Sequence, residues 1–187
     1  DLISALSEKA EEHKATATMA FTHIQPAEVT TIGYRLSQTI QDLLDDREQL
    51  LFVRRNIRGK GMKGAVGTAA SYSELLEGTG ISAMEMEEMV MEELGIKAYD
   101  AATQIYSRKQ DLRIIEALSS ISCTLHKFSL DFRILQSPPI GEFSEPFGKM
   151  QVGSSAMPFK RNPINSEKID SLSRIVENAY QSAWNNA

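Results

Sequence analysis

Residues 114–135 read IIEALSSISCTLHKFSLDFRIL, and Ile114, Leu118, Ile121, Leu125, Phe128, Phe132 and Leu135 follow one another in alternating steps of four and three. That interval returns side chains to one side of a helix, so the stretch predicts a helical stripe turned toward a bundle neighbour. At about 1.5 Å per residue the stripe runs roughly 30 Å. Outward from it, the prolines are Pro26, Pro138, Pro139, Pro146, Pro158 and Pro163, which leaves residues 27–137 free of proline and residues 96–137 free of glycine as well. Segments without either residue hold long helices. Upstream, Leu36, Ile40, Leu43, Leu44, Leu51 and Ile57 trace a second stripe, expected on a helix from near Pro26 to just before Gly59. Downstream of Pro163, Ile169, Leu172, Val176, Ala179 and Ala183 trace a third. A more charged helix is expected over Asp1 to Ala17. No strict apolar alternation lasts long enough to require a sheet, so the expected fold class is all-α, built from long antiparallel helices.

The 187 residues are 42% apolar and 24% charged, enough to bury one sizeable core. No apolar run approaches the ~20 residues of a membrane span, and no basic stretch leads into an apolar one as in a signal peptide. The expected setting is cytoplasmic, without a membrane partner. Cys123 is the only cysteine, which excludes an internal disulfide and any thiolate-only metal site. A net charge of −5 argues against a nucleic-acid coat protein and leaves a small anionic substrate open, because a site is set by local charge. Asp1 opens inside an amphipathic pattern and Ala187 closes without a helix stop, so the chain is expected to be an excerpt of a longer protein.

Three interruptions punctuate the helices: residues 18–26, the glycine-rich 59–80, and the proline-rich 137–163. Loops mounted on rigid helices are where chemistry concentrates. The Glu- and Met-rich stretch from Met84 to Glu93 reads as a short helix with a solvated acidic face rather than a metal site. The glycine-rich stretch lacks the spacing of a phosphate-cradling P-loop. Residues 149–163 read KMQVGSSAMPFKRNP. Small residues there free the backbone around Ser154 and Ser155, while Lys160, Arg161 and Asn162 offer two cations and an amide, a set suited to a carboxylate-bearing ligand. By composition alone, a plain surface loop fits equally. Of the three histidines, His13 sits in a charged helix and His126 beside the long apolar stripe. His23 differs, because in Phe21-Thr22-His23-Ile24-Gln25-Pro26 it lies at a junction between elements, with Thr22 and Gln25 as hydrogen-bonding neighbours. An imidazole held there can give or take a proton near neutral pH.

The loop Gly153-Ser154-Ser155-Ala156-Met157-Pro158-Phe159-Lys160-Arg161-Asn162-Pro163 resembles the signature loop of the fumarase/aspartase superfamily and matches its fixed positions. Thr22-His23-Ile24-Gln25-Pro26 resembles the same superfamily's histidine motif, upstream in the expected order. Within the superfamily the loop looks most like that of the adenylosuccinate lyases. Further matches are Thr30-Thr31-Ile32-Gly33, Arg58-Gly59-Lys60-Gly61-Met62-Lys63-Gly64 followed by Gly67-Thr68, and Gln104-Ile105-Tyr106-Ser107-Arg108-Lys109. The resemblance runs from about His13 to Ser182. Departures are Glu28, where Gln is frequent, Tyr34 for Lys, Phe159 for Tyr, and Lys168 where some members carry an Arg that contacts substrate.

The resemblance implies that residues 1–187 are the central helical-bundle domain of a longer lyase chain, with a mobile signature loop at about 148–163 and further domains on either side. It implies a β-elimination releasing fumarate from adenylosuccinate, leaving AMP, and from the succinylaminoimidazole carboxamide ribotide in purine synthesis. Ser154 would be the base, used as an alkoxide, and His23 the acid for the departing nitrogen, with Glu167 orienting or charging it. Lys160 and Asn162 would hold the succinyl carboxylate. Thr22, Gln104, Ser155 and Lys168 would contact substrate. No cofactor and no metal are implied. Each active site would be shared among three chains of a homotetramer, so the 187 residues by themselves are expected to be inactive. Alternatives are a sister lyase, such as argininosuccinate lyase or a carboxymuconate-cycloisomerase-type member, and a catalytically silent helical relative like the superfamily's lens crystallins.

Overall fold

A computed structural model describes residues 1–148 and 150–187; Lys149, inside the expected signature loop, lies outside the described residues. In chain order the elements are α1 (Leu2–Glu12), β1 (Ala17–Thr22), β2 (Gln25–Thr31), α2 (Ile32–Arg55), α3 (Ala70–Leu75), α4 (Ala83–Glu93), α5 (Lys109–Gln136) and α6 (Ile164–Asn186). The chain is mostly helical, and its three long helices of 24, 28 and 23 residues coincide with the three apolar stripes. None of the helices searched, those of the described residues, is long and apolar enough to cross a membrane.

The departure from the expected pattern is a β-hairpin. β1 and β2 pair antiparallel, Ala17 opposite Thr31 and Thr22 opposite Gln25, with a register shift between Met19 and Phe21. α1 therefore stops at Glu12 rather than Ala17, and α2 starts at Ile32 rather than near Pro26. Val29, Thr30 and Thr31 are β-branched and favour a strand over a helical turn. The hairpin is largely exposed, so it carries no apolar alternation for a sequence reading to find. The bulge accommodates Pro26, which has no N–H to give a ladder. α2 then opens on Thr31, whose Oγ1 accepts the Tyr34 N–H at 3.1 Å in the manner of a helix N-cap.

By contact the chain divides into two compact units, residues 1–49 with 118–179, and residues 50–117 with 180–187. In the first, Leu6, Leu36 and Leu43 form a core joined by Ile3, Ala10, Ile32, Ile40, Phe128 and Phe143. A methyl group at Gly33 would lie 2.3 Å from the Ala10 carbonyl oxygen, so only glycine lets the end of α1 approach the start of α2 this closely. α2 and α5 run antiparallel, since Asp46 accepts from Ser120 Oγ at 2.6 Å and Thr124 Oγ1 at 2.7 Å while Asp42 pairs with Lys127. α5 and α6 are antiparallel too, with Arg133 on Asp170 and His126 beside Ser173. Ile169, Leu172 and Ile175 on α6 face outward.

In the second unit α4 begins with a capping box in which Ser82 and Glu85 exchange hydrogen bonds. Its acidic face is not wholly solvated: Glu87 turns inward, accepting from the Met62 N–H at 2.7 Å and pairing with the buried Lys63. Gln110 holds both the N–H and the carbonyl of Arg58 and also accepts from the Tyr99 hydroxyl. These contacts fold the glycine-rich stretch back along α4 and α5.

Candidate active site

His23 and Ile24 are the two central residues of the hairpin turn between Thr22 and Gln25. Both have positive φ, 53° and 61°, the signature of a type I′ turn, which ordinarily takes Asn-Gly. Histidine tolerates the left-handed region comparatively well, but a β-branched isoleucine does not. The turn projects His23 and Thr22 to the exposed tip, with Gln25 beside them donating to the Ile24 carbonyl. At the other end the hairpin is fixed by Arg35, which donates to the Met19 carbonyl and to Glu142. Burial alone would push the Glu142 carboxyl up, but hydrogen bonds from Thr18, Arg35 and the Met19 backbone outweigh it and hold it below the usual carboxylate range.

The loop that carries Ser154 is drawn in at its waist. A methyl group at Gly153 would fall 1.9 Å from the Lys160 carbonyl oxygen, and the Asn162 side-chain amide donates to the Gly153 carbonyl at 3.4 Å. Lys160 and Asn162 are thereby held next to the backbone that presents Ser154. Ser154 Oγ accepts from the N–H groups of Met157 at 3.3 Å and Ala156 at 3.4 Å. Two donors aimed at a hydroxyl oxygen favour its deprotonated form. Ser155, Phe159, Lys160 and Arg161 are exposed, and among the described residues the Lys160 ammonium has no hydrogen bond or ion pair.

The stems of the loop are tied by side chains that the sequence reading did not single out. Glu145 Oε1 accepts from Ser166 N–H at 2.7 Å and Ser166 Oγ at 2.8 Å, and Oε2 accepts from the backbone and side-chain N–H groups of Asn165, each at 3.1 Å. Burial would raise this carboxyl, but the Ser166 and Asn165 bonds prevail and hold it low. Gln136, the last residue of α5, accepts the Glu145 N–H at 2.9 Å and donates to the Arg161 carbonyl at 3.2 Å. Arg161 stacks over the Phe147 ring at 5.3 Å. No local pattern marks Gln136 or Glu145, because their partners lie across the loop.

Glu167 and Lys168 occupy the first turn of α6 and are exposed. Arg133 Nη2 lies 3.9 Å from Glu167 Oε1, while its Nη1 donates to Asp170, whose carboxylate is buried. Gln104 belongs to the second unit. It is exposed on the segment before α5, and the glycine-rich stretch supports that segment from behind: a methyl group at Gly67 would meet the Ala102 carbonyl oxygen at 2.0 Å.

Ser154, Lys160 and Asn162 are thus gathered by one loop, with Glu167 and Lys168 just beyond its second stem. Among the described residues no hydrogen bond or ion pair joins His23 to any of them.

The sequence profile of a family described as lyase matches residues 1–177. The chain is 44% identical over 176 residues to the adenylosuccinate lyase of Schistosoma mansoni, covering 93% of this chain and 36% of that protein. It is 38% identical over 188 residues to the adenylosuccinate lyase of Schizosaccharomyces pombe, covering 100% of this chain and 39% of that protein. Among solved structures, the 3-carboxy-cis,cis-muconate lactonizing enzyme of Pseudomonas putida superposes with a TM-score of 0.81 at 26% identity, over 96% of this chain and 38% of that one. A fumarate lyase from Mesorhizobium shares the fold, with a TM-score of 0.77 at 23% identity over 97% of this chain and 37% of that one. The chain spans less than two fifths of the length of each of these relatives.

Proposed function

We propose, from the premise that this chain belongs to the lyase family, that it is the central helical-bundle part of an adenylosuccinate lyase, a carbon–nitrogen lyase of the fumarase/aspartase superfamily. The reaction is a reversible β-elimination that splits adenylosuccinate into fumarate and AMP, and the succinylaminoimidazole carboxamide ribotide into fumarate and its carboxamide product. Such an elimination needs a base for a weakly acidic proton beside a carboxylate, cations for the charge that builds on that carboxylate, and an acid for the departing nitrogen.

Ser154 is the base. A serine oxygen is basic enough only as an alkoxide, stabilised by the loop N–H groups and by Lys160 once the closing loop expels water. Lys160 and Asn162 hold the succinyl carboxylate and the enolate-like charge. His23 protonates the nitrogen as the carbon–nitrogen bond breaks, with Glu167 orienting or charging the imidazole. Thr22, Gln104, Ser155 and Lys168 contact the substrate. Every step is acid–base chemistry among side chains, with no cofactor. Each site draws His23 and the Ser154 loop from different chains of a homotetramer, a reading supported by the lack of any hydrogen bond or ion pair between them among the described residues, and the outward Ile169, Leu172 and Ile175 of α6 supply an apolar face for that assembly. The 187 residues alone are inactive. The enzyme works on small molecules in the cytoplasm, without nucleic-acid or membrane partners.

The observation that supports this reading most directly is the pair of backbone N–H groups on Ser154 Oγ, in a loop that matches the superfamily signature. The test is fumarate release from adenylosuccinate by the complete protein, followed by the ultraviolet absorbance of the purine. Turnover is expected, and Ser154→Ala is expected to lower it by about four orders of magnitude with helix content unchanged. An inert complete protein, or a Ser154→Ala protein that turns over normally, rejects the assignment. A second reading, a carboxymuconate-type cycloisomerase, is favoured by the fold match to the Pseudomonas enzyme. The higher identity to the adenylosuccinate lyases weighs against it, and turnover of 3-carboxymuconate instead of adenylosuccinate would establish it.

A further inference from the structure

A loop that must deliver a base to within bonding distance of a proton needs fixed stems, because a misplacement of about 1 Å at the reacting atoms costs roughly a hundredfold in rate. Both stems of this loop converge on two side chains. Gln136, held by the last turn of α5, accepts from the first stem at the Glu145 N–H and donates to the second stem at the Arg161 carbonyl. Glu145 then reaches across to the second stem's exit, satisfying the N–H groups of Asn165 and Ser166 together with the Ser166 hydroxyl and the Asn165 amide. Those N–H groups belong to the first turn of α6 and have no partner within that helix, so the carboxylate serves them as a cap from outside. Six hydrogen bonds thus run through two residues that, among the described residues, hydrogen-bond to neither Ser154 nor Lys160. By contrast, among the described residues the side-chain hydrogen bonds of the segment between the stems run within it, the Asn162 contact at its waist included.

We propose that Gln136 and Glu145 are positioning residues for the β-elimination, a clamp that fixes both stems of the 146–163 loop so that closure delivers Ser154 and Lys160 to substrate in one register. The role rests on the lyase reading for its catalytic meaning and on the hydrogen bonds alone for its mechanical one. Without the clamp the loop still closes, but over an ensemble of positions in which the productive one is rarer. That loss falls on kcat rather than on KM, because the clamp residues contribute nothing to ground-state binding.

The test uses the complete protein with Gln136→Ala, Glu145→Ala and Glu145→Gln, the last retaining one acceptor oxygen. Trypsin cuts after Lys160 and Arg161, both exposed, so the rate of nicking there reports the freedom of the stems. Each alanine variant is expected to be nicked about tenfold faster at these sites, with cleavage after Arg54 and Arg55 in α2 unaltered. On adenylosuccinate, kcat is expected to fall ten- to about a hundredfold while KM stays within about threefold, with Glu145→Gln intermediate on both readouts. Unchanged nicking at Lys160 and Arg161 overturns the clamp, as does equal acceleration at Arg54 and Arg55, which would mean general destabilisation. Faster nicking with normal kcat, or a loss confined to KM, overturns the positioning role. If the parent protein does not cleave adenylosuccinate, the functional reading fails by itself and the nicking rates still decide the clamp. Should an alanine variant not fold, Glu145→Gln carries the same comparison.

Discussion

At the scale of single residues, the hairpin tip is where local preference and native conformation disagree. Ile24 holds a φ of 61° and is 65% exposed, so little packing compensates for the left-handed backbone. Such conflicts concentrate at functional sites, and here the strained residue directly follows His23. Asparagine adopts the same φ at much lower cost, so Ile24→Asn should stabilise the complete protein by about 1 kcal/mol, read as a rise in denaturant midpoint. Ile24→Val, equally β-branched, should give no gain. A lower midpoint for Ile24→Asn would mean that the turn is not strained. Gly153 and Gly33 show the opposite relation, positions where the residue type follows from a backbone contact that leaves no room for a methyl group.

Among elements, the α2–α5 contact explains both what periodicity disclosed and what it concealed. The stripe on α5 identified the helix, which begins at Lys109 ahead of the stripe's Ile114, and Phe128 and Leu135 do pack inward. Yet part of the α5 surface turned to α2 is polar, with Ser120 and Thr124 closing on the buried Asp46. A count of apolar positions is blind to that kind of interface. Asp46 is 5% exposed, and removing its carboxylate strands the hydroxyl of the buried Thr124. Asp46→Ala should therefore cost about 2–3 kcal/mol in denaturant unfolding, more than Asp42→Ala, whose pair with Lys127 is open to water. Equal effects would show that burial does not set the value of these bonds. The hairpin escaped notice for a related reason: β2 is exposed from Gln25 to Val29, and the half-buried face of β1 starts with the small Thr18 and Ala20, so the strands carry no alternation of large apolar residues. The candidate site was legible where its residues lie close in sequence, as in Ser154, Lys160 and Asn162. It was opaque where partners meet across a loop, as with Gln136 and Glu145.

For the molecule as a whole, Glu142 and Glu145 couple acidity to integrity. Both carboxyls titrate lower when folded than when unfolded, because hydrogen bonds outweigh burial at each. In acid the folded chain consequently binds fewer protons than the unfolded one. The stability they contribute is fully present above the ordinary glutamate pKa of about 4.3 and drains away as pH falls through their lowered values. Replacing both by glutamine should flatten the dependence of unfolding free energy on pH below about 4.3 while leaving it unchanged near neutrality in slope. An acid slope equal to the parent's would place the sensitive groups elsewhere. The two glutamates sit three positions apart, one gripping Arg35 beneath the hairpin and the other the start of α6. The two grips cannot both survive a change in the number of residues between them, since with Glu142 on Arg35 inserting or deleting one would swing Glu145 away from Asn165 and Ser166. Residues 142–145 accordingly behave as a ruler of fixed length.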